Sequence, residues 1–158
     1  AASDVYKRQG IGEASYHAAN MLGGHFSVIT TLKRSIPALK KNLKNYGLYD
    51  NCISLSSVDI PVLELESNLN LTEQKIEEKI KEILDNSDTE IFVLGCAGMA
   101  DFAIKMKKKY NIPVIEGISV AVKFAESFID LDLKTSSRNS FAMPRSKKFT
   151  GIFKNFEV

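Results

Sequence analysis

Cysteine is scarce in this chain. Only Cys52 and Cys96 occur in 158 residues, and they belong to no CxxC pair and no Cys/His cluster. That excludes a disulfide framework and a zinc site built on ligand-spaced residues, so no metal is expected. Reduced thiols in a cytoplasmic setting are the default. An excess of one charge is also missing: 21 basic against 19 acidic residues leave +2, too little to argue for a nucleic-acid partner. No stretch is long and apolar enough to span a membrane as a helix. No short-period repeat runs along the chain, and its start has neither Met nor the apolar segment of a signal peptide.

What is present supports one respectable core, since 44% of the residues are hydrophobic. A single domain, or one lobe with additional pieces, is expected. The opening run AASDVYKRQ at 1–9 has no periodicity that would start a domain. It is read as a non-native leader, with native sequence upstream of Gly10 missing.

From Gly10 the pattern alternates between the two periods. Residues 13–22 have helical spacing and stop at Gly23-Gly24, the usual chemistry of a helix end. FSVITT at 26–31 is rich in β-branched residues and reads as a strand. Ser35 is placed to cap a helix carrying Ile36, Leu39, Leu43 and Tyr46 on one face, closed by Gly47. A second strand is expected around 52–57, followed by PVLEL at 61–65 and a helix over 72–84 with Ile76, Ile80, Ile83 and Leu84 as its stripe. The third strand is 91–95, with a helix over 99–109. A short strand at 112–117 then leads into a last helix at 119–130. Strands alternating with helices predict an α/β fold, a parallel four-stranded sheet flanked by helices.

The segment IFVLGCAGM at 91–99 stands out within that pattern. Ile91, Phe92, Val93 and Leu94 form an uninterrupted apolar run, as expected of a strand buried on both faces. Cys96 therefore lies just past a strand's carboxyl end, where open α/β sheets bind ligands. The free amides of the following helix favour an anion, or a thiolate over a thiol. A free Cys is equally at home as a small, inert, packed hydrophobe, and position alone does not separate the two.

Other candidates carry less. GIGEAS at 10–15 has the look of a phosphate loop, but Ser15 stands where the third glycine belongs. Thr30 and Thr31 end a strand and could face the crevice of Cys96, although paired Thr is also ordinary strand chemistry. His17 and His25 have no partner at triad-like spacing, and Cys52 reads as packed. Lys105, Lys107, Lys108 and Lys109 form a solvated helix end complementary to the helix dipole. The basic tail over 133–158, with Phe141, Phe149, Phe153 and Phe156, reads as a chain end packing over its own lobe or a neighbouring subunit.

The ordered set GIGEAS at 10–15, FSVITT at 26–31, PVLEL at 61–65, VLGCAGM at 93–99, IPVIEGI at 112–118, LKTS at 133–136 and FTGIF at 149–153 resembles the aspartate/glutamate/hydantoin racemase superfamily. The likeness is greatest to the hydantoin and allantoin racemase branch and covers Gly10 to Val158. The resemblance implies a cofactor-independent enzyme of two similar α/β lobes, holding a small-molecule substrate between them and forming homo-oligomers. Each lobe supplies one cysteine: one removes the proton from the stereogenic carbon, and the other reprotonates the opposite face. Cys96 matches the second-lobe cysteine. The first-lobe cysteine would lie upstream of GIGEAS, a position Cys52 does not occupy.

Thr30 and Thr31 match substrate-contact positions, as do Gly12, Glu13 and Ala14, and Ala97 and Gly98 beside Cys96. On this mapping residues 24–117 form the second lobe, while 10–23 and 118–158 belong to the first. The chain by itself is then expected to be inactive or nearly so, with Phe124 and Phe128 on an exposed face prone to self-association. Two other classes remain open: a one-cysteine decarboxylase or cis–trans isomerase, and a non-catalytic lobe that binds a small molecule or oligomerises.

Overall fold

The computed structural model describes residues 10–139, 142 and 150–152. Four parallel strands form its sheet: β1 (Phe26–Thr30), β2 (Cys52–Ser57), β3 (Ile91–Leu94) and β4 (Val114–Glu116), in the order β2-β1-β3-β4. Helices α1 (Ile11–Leu22), α2 (Ile36–Asn45), α3 (Leu69–Asn86), α4 (Ala100–Tyr110) and α5 (Gly117–Asp130) complete the alternation.

The two-residue period of a strand decides which side chain serves which layer. Ile29, Phe92, Leu94 and Val114 pack on one face with Ile76, Ile80 and Ile83 of α3 and Phe102 and Met106 of α4. Phe26, Val28, Ile91, Val93 and Ile115 pack on the other with Tyr16 and Ala19 of α1 and Leu43 of α2. All of β1 and β3 is buried, which is why these segments read as continuous apolar runs. Ser27, a polar residue in the middle of β1, is satisfied by Thr89 at 2.7 Å, and Thr89 in turn meets Ser87 at 2.8 Å. A buried hydroxyl left unpaired would cost about 1–3 kcal/mol.

Several boundaries differ from the sequence reading. Ser35 does not cap α2: a 3-10 turn over Lys33–Ser35 precedes the helix, and Ser35 has no side-chain cap bond. The turn's first amide, on Lys33, instead donates to Asp59 Oδ1 at 3.0 Å. Gly47 closes α2 with φ +71, a conformation that costs other residues more. Helix α3 begins at Leu69, where the Asn68 side chain accepts from Leu71 N–H. Helix α5 begins at Gly117, because the Glu116 carboxylate at the end of β4 accepts the amides of Ile118 and Ser119 at 2.8 and 2.9 Å. Lys105 and Lys109 reach across from α4 to Glu73 and Glu77 on α3, so part of the expected solvated lysine cluster is an inter-helix tie.

The described residues divide into two units, 10–127 and those from 128 onward. In the second, the amides of Asp132 and Leu133 bond back to Ile129 and Phe128. Phe128 is exposed, whereas Phe124 in the first unit is half-buried. Phe141, Phe149, Phe153 and Phe156 lie outside the described residues.

Candidate active site

The sheet order creates the site. From β1 the chain moves outward to β2, then returns to place β3 on the opposite side of β1. The connections therefore part company between the carboxyl ends of β1 and β3, leaving the crevice in which parallel sheets bind ligands. The amide of Gly95 donates to the carbonyl of Ile29 at 2.8 Å and locks the two strand ends together. A Cβ on Gly95 would lie 3.3 Å from Val28 Cγ1 and 3.5 Å from that same carbonyl oxygen, so the residue before the thiol is one for which a side chain is awkward.

Cys96 follows with an extended backbone and is half-buried. Its carbonyl accepts from Met99 N–H at 3.0 Å, which starts a short turn over Ala97–Met99 running into α4. The N–H groups of Ala97 and Gly98 have no partner among the described residues. They stand beside the thiol as donors for developing negative charge. At the amino end of α5, by contrast, the amides of Ile118 and Ser119 are already held by the Glu116 carboxylate.

Cys96 opens on a cavity of about 280 Å³ between the sheet's carboxyl edge, the start of α1 and one face of α2. Gly12, Glu13, Cys96 and Ala97 line it. Ala14 is fully buried on α1. Gly98 is outside the lining, although a Cβ there would come within 3.9 Å of Cys96 Sγ. Thr30 and Thr31 are 3% and 5% exposed and also lie outside the lining. Their carbonyls accept from Val58 and Ile60, and a Cβ on Gly95 would lie 3.7 Å from Thr30 Cβ. The Thr pair thus abuts the thiol's strand end from the neighbouring strand. Among the described residues no group of three His, Cys, Asp or Glu side chains could hold a metal ion.

The two thiols differ in setting. Cys52, on edge strand β2, donates to the Ser54 carbonyl at 3.4 Å. Burial pushes its pKa up to about 12 against some lowering by backbone hydrogen bonds, so it remains a thiol.

The profile of the Asp/Glu/Hydantoin racemase family matches residues 9–125. The chain belongs to this racemase family. Among relatives, the hydantoin racemase of Pseudomonas sp. (strain NS671) is 34% identical over 147 residues, covering 93% of this chain and 59% of that protein. The hydantoin racemase of Rhizobium meliloti is 36% identical over 142 residues, covering 90% and 59%. The solved allantoin racemase from Klebsiella pneumoniae superposes with a TM-score of 0.86 at 37% identity, covering 93% of this chain and 60% of that one. The chain thus spans about 60% of the length of the relatives it matches.

Among the cavity-lining residues of this racemase-family chain that the sequence reading does not place in the site are Tyr16 on α1, Asn42 on α2 and Tyr46 just past the end of α2. Tyr46 reads as part of an apolar helix face, and Tyr16 is not singled out within the helical stretch 13–22. The signal available was their hydroxyl, a polar tip that a buried aromatic normally has to satisfy.

Proposed function

We propose that a protein containing this sequence is a cofactor-independent racemase of hydantoins, allantoin or related amino-acid derivatives, and that Cys96 is one of its two opposed acid/base groups. The observation that carries this reading is the position of Cys96: at the topological switch point of a parallel sheet, half-buried, open to a cavity, and flanked by two unpartnered amides. Family membership and the solved allantoin racemase support it.

The C–H of a hydantoin beside its ring carbonyl gives an enolate on deprotonation, so the reaction needs a base of matched pKa and placed donors, with no Schiff base. In this reading Cys96 exchanges a proton with one face of the stereogenic carbon. The N–H groups of Ala97 and Gly98 stabilise the enolate oxygen. Gly12 and Glu13 shape the edge of the site with Ala14 buried behind them, and Thr30 and Thr31, buried at the end of β1, back the strand end that carries Cys96. The second cysteine works on the opposite face and comes from outside residues 10–158. Residues 24–117 then make one lobe, while 10–23 and 118–158 belong with the other, and the 158-residue chain alone is inactive or nearly so. Exposed apolar side chains at Met21 and Leu22 on α1 and Ile118 and Val122 on α5 support self-association as part of the same reading.

The test is to extend the chain to the length of its relatives and follow the optical rotation of a 5-substituted L-hydantoin, with and without Cys96→Ser. Rotation decaying to zero in the parent, with at least a 100-fold slower decay in the variant (an order-of-magnitude expectation for losing one acid/base group), is the expected result. Equal decay in both would exclude Cys96 as the base. No decay in a folded parent would move the reading to another substrate or to a one-cysteine lyase.

A further inference from the structure

The cavity beside Cys96 contains a recognition group that the racemase chemistry above does not use. Tyr16 is 2% exposed, and its ring packs on Phe26 with centroids 6.1 Å apart and on Tyr46 at 6.4 Å. Side chains on a helix lean toward its amino end. Accordingly, the Tyr16 ring tip comes up beside Gly12: a Cβ on Gly12 would lie 3.8 Å from Tyr16 Oη. Both residues line the cavity onto which Cys96 opens. No side-chain hydrogen bond is made by Tyr16 Oη among the described residues, and the oxygen is not among the sealed, unpartnered polar atoms of the interior. It is a polar tip at the end of a buried ring, at the wall of a ligand-sized space.

The charge of the lining restricts what that tip can meet. Among the described residues Glu13 is its one charged side chain, and no described Lys, Arg or His borders the cavity. An anionic ligand would find a carboxylate and no cation, whereas a neutral ring with carbonyl oxygens would find uncharged donors. Burial, reinforced by Cys52 and Tyr46, pushes the Tyr16 phenol up to about 12, so the hydroxyl carries its proton throughout the neutral range.

We propose that Tyr16 contacts the substrate, its phenol hydroxyl donating a hydrogen bond to a carbonyl oxygen of a neutral cyclic ureide held against Cys96. The inference rests on the racemase reading and adds a specificity-determining residue to it. Tyr16 selects for a neutral carbonyl and its loss weakens binding, while Cys96 handles the proton.

The experiment titrates the chain extended to the length of its relatives with racemic 5-methylhydantoin, using ligand-observed NMR, and repeats the titration with Tyr16→Phe. The variant keeps the ring that packs on Phe26, so its thermal midpoint should match the parent's. Its dissociation constant should rise by about 3- to 10-fold, the worth of one neutral hydrogen bond. The ring-opened, carboxylate-bearing N-carbamoylalanine should bind the parent more weakly than the ring does. A parallel measurement needs no variant: with ¹³Cζ-labelled tyrosine in the parent, 5-methylhydantoin should shift the Tyr16 resonance. Equal binding by parent and Tyr16→Phe, or a Tyr16 resonance that does not move while the probe binds, overturns the role of Tyr16 and leaves the racemase reading standing. No binding of 5-methylhydantoin by the extended, folded parent overturns the reading on which this inference rests.

Discussion

The contrast between the two thiols is one of solvation. Burial of Cys52 makes its thiolate costly, and a pKa near 12 leaves a negligible reactive fraction at pH 8. Cys96 is half-buried but opens on a cavity. Iodoacetamide at pH 8 should therefore alkylate Cys96 well before Cys52, and peptide mass spectrometry would read the order directly. Preferential labelling of Cys52 would mean that β2 opens more readily than the site does. A second residue-level effect belongs to Asp59, which sits at φ +54 and accepts from Ser57 Oγ at 2.9 Å and Lys33 N–H at 3.0 Å. These bonds lower its carboxyl below the ordinary 3.8. A depressed carboxyl contributes stability that is present above the unfolded value and lost as pH falls through the folded one. Asp59→Asn tolerates the same backbone conformation and removes the charge. The gap in urea midpoint between parent and variant should shrink from pH 7 to pH 3; a gap independent of pH would exclude the carboxylate as its cause.

Among the elements, the contact between the starts of α1 and α5 is the least forgiving. A Cβ on Gly117 would fall 2.3 Å from Ile11 Cγ2 and 2.8 Å from the Ile11 carbonyl oxygen, and backbone cannot swing away as a side chain can. Gly117→Ala should lower stability by about 1–3 kcal/mol, the usual cost of overpacking. It should also enlarge the mouth of the cavity, because Ile11 and Gly117 both line it. Denaturant unfolding checks the first effect; an unchanged midpoint would show that α1 shifts freely. This contact also shows where local sequence reading stops. The uninterrupted run Ile91 to Leu94 placed Cys96 at a strand end because burial on both faces leaves a local pattern. The missing side-chain cap at Ser35 and the early start of α5 were not legible because the amides near these helix starts are served by other side chains, Lys33 N–H by Asp59 and the Ile118 and Ser119 N–H groups by Glu116. Tyr16, Asn42 and Tyr46 were illegible for a related reason: α1 and α2 each look like ordinary amphipathic helices until their packing leaves a gap between them.

At the scale of the whole molecule, alternation of strand and helix made the parallel sheet readable, but nothing in a single strand announces which neighbour it will take. The order β2-β1-β3-β4 is a global property, and the candidate site depends on it. Phe26 to Ile29 pair with Ile91 to Leu94, a longer reach along the chain than either of the other two pairings. Closing a large loop loses more chain entropy, and such contacts form slowly. The surroundings of Cys96 therefore come into being only when this long-range pairing is made. Until then its sulfur is an ordinary open thiol, exposed to any oxidant or to a second unfinished chain. The same topology that assembles the crevice thus leaves Cys96 open to oxidation in the nascent protein, and refolding under reducing conditions is the setting in which this chain should be recovered intact.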